Sequence, residues 1–566
     1  MSLIRARRTV SAPTSLSAKP TRAASRLAAP HAPSDARAFA LDVPFELRAV
    51  AMAAGARWDE DHKVFLYRGA SLPAALEPFR AAPWSLERRV ERALNREPRR
   101  ARPAASPTLR PRPHQAIAIQ AILAAARAGH EGFLLADDVG LGKTITAWAA
   151  ILAMPDVDSV LVTCPLAVVA HWRATLEAMG DGGKDVVVIN YERLGKLMEL
   201  TPEARAKVKS KKGLARHGQA SRFDVVVWDE SHRLKNPAAA RSKLAARLTQ
   251  PAGFALWLSA TAGQNPLELS YLAPLLARVT GDRVTDLKQF EAWCAAQELG
   301  VTRGAFGRWE WQGDAAHRGS EKVRAMLFDG PTPAGIRRRP EDVAGWPELN
   351  RMLTPIGLDP SARALYLAAW TEFRAALALD AQGKNPTSAL AATLRLRQKS
   401  SLIRVAGTVE LVQELLDNGH QVAISVAFIE TLNALAGALA DVPLAMIHGG
   451  LAAAAREDER RRFQRGDARV VLFTVEEGIS LHQGELNEVP RSMVIHDLRW
   501  SAIQMAQIEG RCHRDGRFAQ VYWAYAEDTI ESRIAQLVCS RIQSMKRMIG
   551  DDVETLRAIE ALLREG

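Results

Sequence analysis

The chain has 566 residues, 48 % hydrophobic and 24 % charged, with a formal net charge of +12. That length predicts roughly three to four domains of about 150 residues, and the composition suits a protein that buries real cores. No apolar run reaches the ~18 residues that suggest a spanning helix, and Cys164, Cys294, Cys512 and Cys539 form no C-x-x-C pair, which excludes a disulfide framework or zinc ribbon and makes a reducing compartment, the cytoplasm, the expected location.

The charge is unevenly spread. Residues 1–113 carry 21 Lys+Arg against 10 Asp+Glu, and the remaining residues carry 54 against 53. A basic N-terminal segment suits a polyanion such as nucleic acid. Residues 1–38 are rich in Ala, Ser, Pro and Arg, and Pro13, Pro20, Pro30 and Pro33 interrupt any continuous amphipathic helix. A disordered basic arm is expected there, and a solubilising tail fits the same composition. Residues 39–95 predict a small α+β module. "FALDV" reads as a strand, "PFELRAVAMAAG" as a helix ending at Gly55, "ARWDEDHKVFLY" as a hairpin and "LPAALEPF" as a second helix. Trp58, Phe65 and Tyr67 are expected to form most of its core. Residues 96–108 read as a basic, proline-rich linker.

Beyond the linker, apolar β-rich runs alternate with helical patterns. "GFLLA", "SVLVTC", "VVVIN", "DVVVWDE" and "FALWLSA" form one series; "QVAISV", "PLAMIHGG", "RVVLFTV", "SMVIHDL" and "VYWAYA" form another. Runs of this kind predict buried parallel sheets with crossover helices. The expected class is α/β, with lobes at residues 109–350 and 401–535, a helical connector at 351–400 and a helical tail at 536–566.

The segment "LLADDVGLGKT", residues 134–144, lies between an apolar strand and the helix "KTITAWAAILAM". Backbone N–H groups at such a turn can hold phosphate oxygens. Gly140 and Gly142 allow close approach, Lys143 would reach the β- and γ-phosphates, and the Thr144 hydroxyl would bind Mg²⁺. The common G-x-x-x-x-G-K-[ST] spacing is not kept throughout: Asp137 stands where the first glycine is expected. Downstream, "VVVWDESH" sets Asp229 and Glu230 at the end of an apolar strand. Asp229 is placed to hold Mg²⁺ and Glu230 to orient and activate a water. In the second lobe, "QIEGRCHRDGR" carries Arg511 and Arg514, which one helix face would present together. Arginines delivered from that lobe to a γ-phosphate would make hydrolysis depend on lobe closure.

The order and wording of these segments resemble the Swi/Snf-type ATPases, a branch of helicase superfamily two. That family's loop typically begins D-E-x-G-L-G-K-T, so Asp137 is its usual form and Asp138 stands for its glutamate. "RPHQ", Arg112 to Gln115, resembles the upstream motif that reads adenine. "LVTCPLAVVAHW", "INYERL", "DESHRLKN", "LSATAGQNP" and "QIEGRCHRDGR" resemble five further family motifs in the correct order. The likeness covers roughly residues 109–535. It implies two RecA-like lobes and an ATP and Mg²⁺ site built from Arg112, Gln115, Asp137, Asp138, Val139, Gly140, Leu141, Gly142, Lys143 and Thr144, with Asp229, Glu230, Arg511 and Arg514 catalytic. Within the family, "DESH", "FGRWEWQG" and "IRRRPEDV" are similar to the HARP-type annealing helicases, and the hairpin "ARWDEDHKVFLY" is similar to part of a HARP domain, with a small widespread module of G-A-R-W-D signature as the alternative.

Departures from the pattern are Ala262 in place of a proline, Arg517 in place of a final glutamine, and Glu476 and Glu477 where the family has small residues. Carboxylates there would repel a DNA phosphate. The resemblance implies a monomeric, DNA-dependent ATPase that translocates on duplex or branched DNA, nucleoid-associated if bacterial. A strand-separating helicase, the motor subunit of a restriction or defence nuclease, and a nucleotide-gated DNA-binding protein with little hydrolysis remain as alternatives. "RAKVKSKKGLARHGQASR", residues 205–222, suits a DNA contact and a solvated loop equally. Because the loop and both acids lie downstream, ATP binding is expected to survive removal of residues 1–108.

Overall fold

The computed structural model describes residues 37–566 apart from 106–108, 139, 202–207, 209, 261, 264, 283, 285–286, 305–306, 313–317, 347–348, 382–385, 475–478, 485, 513–518, 545–554, 557, 560 and 564–566. The basic arm before residue 37, Val139, Glu476, Glu477, Arg514 and Arg517 therefore lie outside the described residues.

Two six-stranded, all-parallel sheets carry the molecule. The first runs, edge to edge, Gly335–Ile336, Gly132–Leu135, Phe254–Leu258, Val225–Asp229, Ser159–Cys164 and Asp185–Asn190. The middles of its central strands are apolar because both faces are covered. Phe133, Leu135, Val160, Val162, Val225 and Val227 meet the helices Pro113–Arg127, Lys143–Leu152 and Val169–Met179 through Ile122, Trp148 and Trp172. Leu134, Leu161, Val226 and Trp228 point the other way, toward Leu194, Leu244 and Leu272. The second sheet runs Leu349–Ile356, Ala519–Ala526, Arg491–Ile495, Gln421–Ser425, Val470–Phe473 and Leu444–Ile447. The expected strands of both series are present.

The stretch 351–400, expected to be helical, opens inside the strand Leu349–Ile356. This strand lacks an apolar run because, at the sheet edge beside Ala519–Ala526, it is left half-exposed along most of its length, unlike the covered edge strand Asp185–Asn190. The helices that follow, Pro360–Ala381 and Pro386–Ile403, pack Tyr366, Phe373 and Leu396 into the core of the second sheet.

The N-terminal module departs further from expectation. A three-stranded antiparallel sheet, Arg37–Leu41, Val64–Gly69 and Arg57–Asp59, alternates its side chains between two faces. Phe39, Leu41, Leu72, Leu76 and Phe79 form a small local core. Ala40, Val64 and Leu66 join Leu86 and Val90 of the helix Leu86–Leu94 in the core of the first lobe. Phe65 and Tyr67 are only partly buried, and Trp58 is 41 % exposed. Of the expected aromatic core, Phe65 and Tyr67 do pack against this local cluster and Trp58 does not, while the alternate strand positions face the lobe.

Polar contacts fasten the same junction. Lys63 Nζ, at the hairpin turn, donates to the carbonyls of Gly195 (3.3 Å) and Met198. Buried Glu87 pairs with Arg193 and Lys196, and Arg92 pairs with Asp185 at 2.6 Å. The linker is pinned too: the Arg102 amide donates to Asp181 Oδ1 at 2.8 Å and the Ala105 amide to the Glu177 carbonyl at 2.8 Å. Removal of residues 1–108 would therefore open the first lobe's own core.

Candidate nucleotide-hydrolysis site

The phosphate loop leaves the strand Gly132–Leu135 and enters the helix Lys143–Leu152. Gly140 and Gly142 have φ of +91° and +77°, left-handed values that favour glycine. A Cβ on Gly142 would sit 2.2 Å from Gln115 Nε2, so a side chain there would push the Gln115 amide away from the loop. Gln115 braces the loop. Its Nε2 donates to the carbonyls of Leu141 (3.1 Å) and Gly142 (3.3 Å), and its Oε1 accepts from the Arg112 amide at 2.8 Å. His114 Nε2 lies 3.1 Å from the same Leu141 carbonyl. Arg112 stands over the Trp346 ring, 5.8 Å from its centroid.

Lys143 Nζ donates to the carbonyls of Asp137 (2.8 Å) and Asp138 (3.3 Å), across the mouth of the loop. Asp137 itself is fully buried, and its carboxylate is held by Arg338: Nε lies 3.0 Å and the backbone N 3.1 Å from Oδ1, with Nη2 on Oδ2. A carboxylate so engaged anchors the loop; its charge does not face phosphate. Arg338 escaped the motif reading as a site residue, although it lies in the quoted "IRRRPEDV".

Asp229 and Glu230 end the strand Val225–Asp229, two places from the loop's own strand in the sheet. Trp172 Nε1 donates to Asp229 Oδ2 at 2.7 Å, and Tyr191 Oη to the Asp229 carbonyl at 2.8 Å. Both partners come from the two motifs that follow the loop. Burial and the neighbouring charge of Glu230 raise the Asp229 pKa to about 7. Glu230 adopts φ +51°, a left-handed value that a non-glycine residue takes only when its surroundings enforce it. Burial pushes its carboxyl up, but this is outweighed by His232 at 3.3 Å and by the charges of Lys143 and Arg511, and its pKa falls below the usual range. His232 Nδ1 also meets Ser259 Oγ at 3.2 Å, which joins the acid pair to the "LSATAGQNP" segment.

Arg511 comes from the second lobe. The helix Ala502–Glu509 ends at Gly510, so Arg511 stands beyond it and not on the helix face the spacing suggested. It is buried, and its charge acts on Glu230 across the gap between lobes. Both its side chain and its backbone are held within its own lobe: Nη1 donates to the Ile479 carbonyl at 3.3 Å and its carbonyl accepts from the Leu481 amide at 2.8 Å.

Thr144 and Asp229 offer a hydroxyl and a buried carboxylate of raised pKa. These are hard oxygen donors, which suit Mg²⁺ completed by phosphate and water oxygens. Among the described residues, no three His, Cys, Asp or Glu side chains cluster as a metal cage.

A glycine loop between strand and helix, a strand-end acid pair and an arginine from a second parallel-sheet lobe are the arrangement expected of a two-lobed, helicase-type ATPase. Family models agree. Type III restriction enzyme, res subunit, matches residues 108–264, and the helicase conserved C-terminal domain matches residues 407–516. The SWI/SNF-related matrix-associated actin-dependent regulator of chromatin subfamily A-like protein 1 of Xenopus tropicalis is 24 % identical over 444 residues, covering 72 % of this chain and 42 % of that protein. The DNA annealing helicase and endonuclease ZRANB3 of Mus musculus is 24 % identical over 446 residues, covering 75 % and 40 %. The uncharacterized ATP-dependent helicase YqhH of Bacillus subtilis is 21 % identical over 496 residues, covering 79 % and 82 %. Over most of its length the chain is thus similar to SWI/SNF-related proteins and to other helicase-type ATPases. It spans about two fifths of the first two. No helix among the described residues is long and apolar enough to cross a membrane.

Proposed function

We propose that the chain is an ATP-hydrolysing motor that translocates on duplex or branched DNA and remodels or anneals it. The observation that carries this reading is a glycine loop with Lys143 at a helix start beside the strand-end pair Asp229 and Glu230 in one parallel-sheet lobe, with the charge of Arg511 from the second lobe acting on Glu230. Hydrolysis at such a site depends on how the lobes stand, which is what a motor requires. Glu230, kept ionised, orients the attacking water. Lys143 turns from the carbonyls of Asp137 and Asp138 to the β- and γ-phosphates. Arg511, with Arg514, stabilises the charge that develops on the γ-phosphoryl group. Mg²⁺ held by Thr144 and Asp229 would neutralise phosphate charge. The DNA partner and the annealing activity are suggested by the name of the mouse relative, and the basic N-terminal segment supports the first.

The test is ATP turnover measured without DNA and with matched single-stranded, duplex and forked DNA, alongside strand displacement. Turnover stimulated by duplex or forked DNA, with no strand displacement, is expected. Turnover that ignores DNA would overturn the motor reading, and displacement of a long strand would favour a separating helicase.

A further inference from the structure

We propose that Arg338 is a positioning residue for ATP hydrolysis, holding the phosphate loop through Asp137. The inference rests on the ATPase reading above and adds to it a residue outside the motifs that supply the site.

Asp137 lies where common phosphate loops carry glycine. A fully buried carboxylate is costly unless it is paired and hydrogen-bonded. Arg338 meets that demand with its fork, Nε on one oxygen and Nη2 on the other, and with its backbone N–H. Its remaining contacts reach both flanks of the loop. Nη1 donates to the His114 carbonyl, and His114 in turn meets the Leu141 carbonyl. The Arg338 carbonyl accepts from the Asp138 amide at 2.9 Å, which continues the pairing of Leu134 with Ala334 and Ala136 with Ile336 into the loop itself. The two residues gripped in this way, Asp137 and Asp138, are the ones whose carbonyls seat Lys143. A displaced Arg338 would therefore move the lysine's seat and the loop's amides together.

The location adds a second consequence. Gly335–Ile336 is the last strand of the first sheet, and the chain next enters the second sheet at Leu349. Arg338 lies on that crossing. A rotation of the second lobe pulls on the same short segment that fixes the loop.

The alternative is an ion pair that only holds the fold. Arg338→Gln, Arg338→Lys, the near-isosteric Asp137→Asn and the Asp137→Asn/Arg338→Gln double variant separate the two. Each is assayed for nucleotide-free melting, binding of a fluorescent ATP analogue, and KM and kcat for ATP. Expected is a rise in ATP KM of about tenfold or more in Arg338→Gln and Asp137→Asn, with kcat changed less. The lysine variant should be intermediate, because it keeps the charge and loses the fork. The double variant should be no worse than the poorer single one, since both substitutions break the same ion pair. Unchanged KM and analogue binding in variants that merely melt lower would overturn the proposal, as would single effects that multiply in the double variant. If the wild-type chain itself neither binds the analogue nor turns over ATP, the ATPase reading fails instead.

Discussion

Trp172 Nε1 donates a 2.7 Å hydrogen bond to Asp229 Oδ2, deep beside the acid pair. The bond favours the ionised carboxylate against the burial and the Glu230 charge that raise its pKa to about 7. Asp229 must lose its proton to hold a cation, so turnover should fall as pH drops below about 7. Trp172→Phe keeps most of the packing and removes the bond. Asp229 should then be still harder to ionise, and the acid limb of kcat/KM should move to higher pH. A profile of ATP turnover against pH at fixed Mg²⁺ checks this; an acid limb at an unchanged pH would show that Asp229 does not govern it.

Lys143→Ala should abolish turnover while leaving the nucleotide-free melting temperature close to wild type, because the side chain is only half-buried and holds two loop carbonyls. Glu230→Gln should also abolish turnover and still bind ATP. Phosphate release and analogue binding, measured together, decide the assignment. Wild-type turnover in either variant would mean that the site lies elsewhere.

Arg511→Lys should lower kcat by up to about 10³-fold, with a smaller change in ATP affinity, if the residue acts mainly in the transition state. Lysine retains a charge near Glu230 and lessens any disturbance at Ile479 and Leu481. Loss of analogue binding at unchanged kcat would instead identify a ground-state role. Arg514 is expected to behave in the same way.

The N-terminal segment divides into two parts with different expected phenotypes. Residues 1–36 hold six Lys+Arg and one acid. Their deletion should weaken DNA binding and flatten its salt dependence by about 0.9 in slope for each phosphate no longer neutralised. Melting should not change. Deletion of residues 1–108 should also lower the melting temperature sharply, because Val64, Leu66, Leu86 and Val90 leave the first lobe's core, each worth roughly 1.5–3 kcal/mol when buried. Thermal melts and salt titrations of the two truncations distinguish these effects. Equal melting of both would show that the module folds apart from the lobe.

What the sequence determined by itself was local. Strands buried on both faces read as unbroken apolar runs, so both parallel sheets were legible from "VVVIN" or "RVVLFTV" alone. The phosphate loop and the acid pair were legible because their chemistry needs particular residue types at short spacing. The N-terminal hairpin was legible, but its docking was not: Phe65 and Tyr67 pack on the module's own cluster, whereas Val64 and Leu66, on the other face, enter the first lobe's core. The strand Leu349–Ile356 was hidden by its place at a sheet edge, where half-exposed residues are tolerated. Arg338 and Asp137 are 201 residues apart, and no local pattern links them. Only the sheet order, which sets Gly335–Ile336 beside Gly132–Leu135, brings the guanidinium to the carboxylate. The same holds for Arg511, released from its helix at Gly510, whose charge acts on Glu230 only because the two lobes stand side by side. Periodicity and motif chemistry are written along the chain, whereas a buried ion pair or an arginine crossing between lobes depends on burial that folding alone creates.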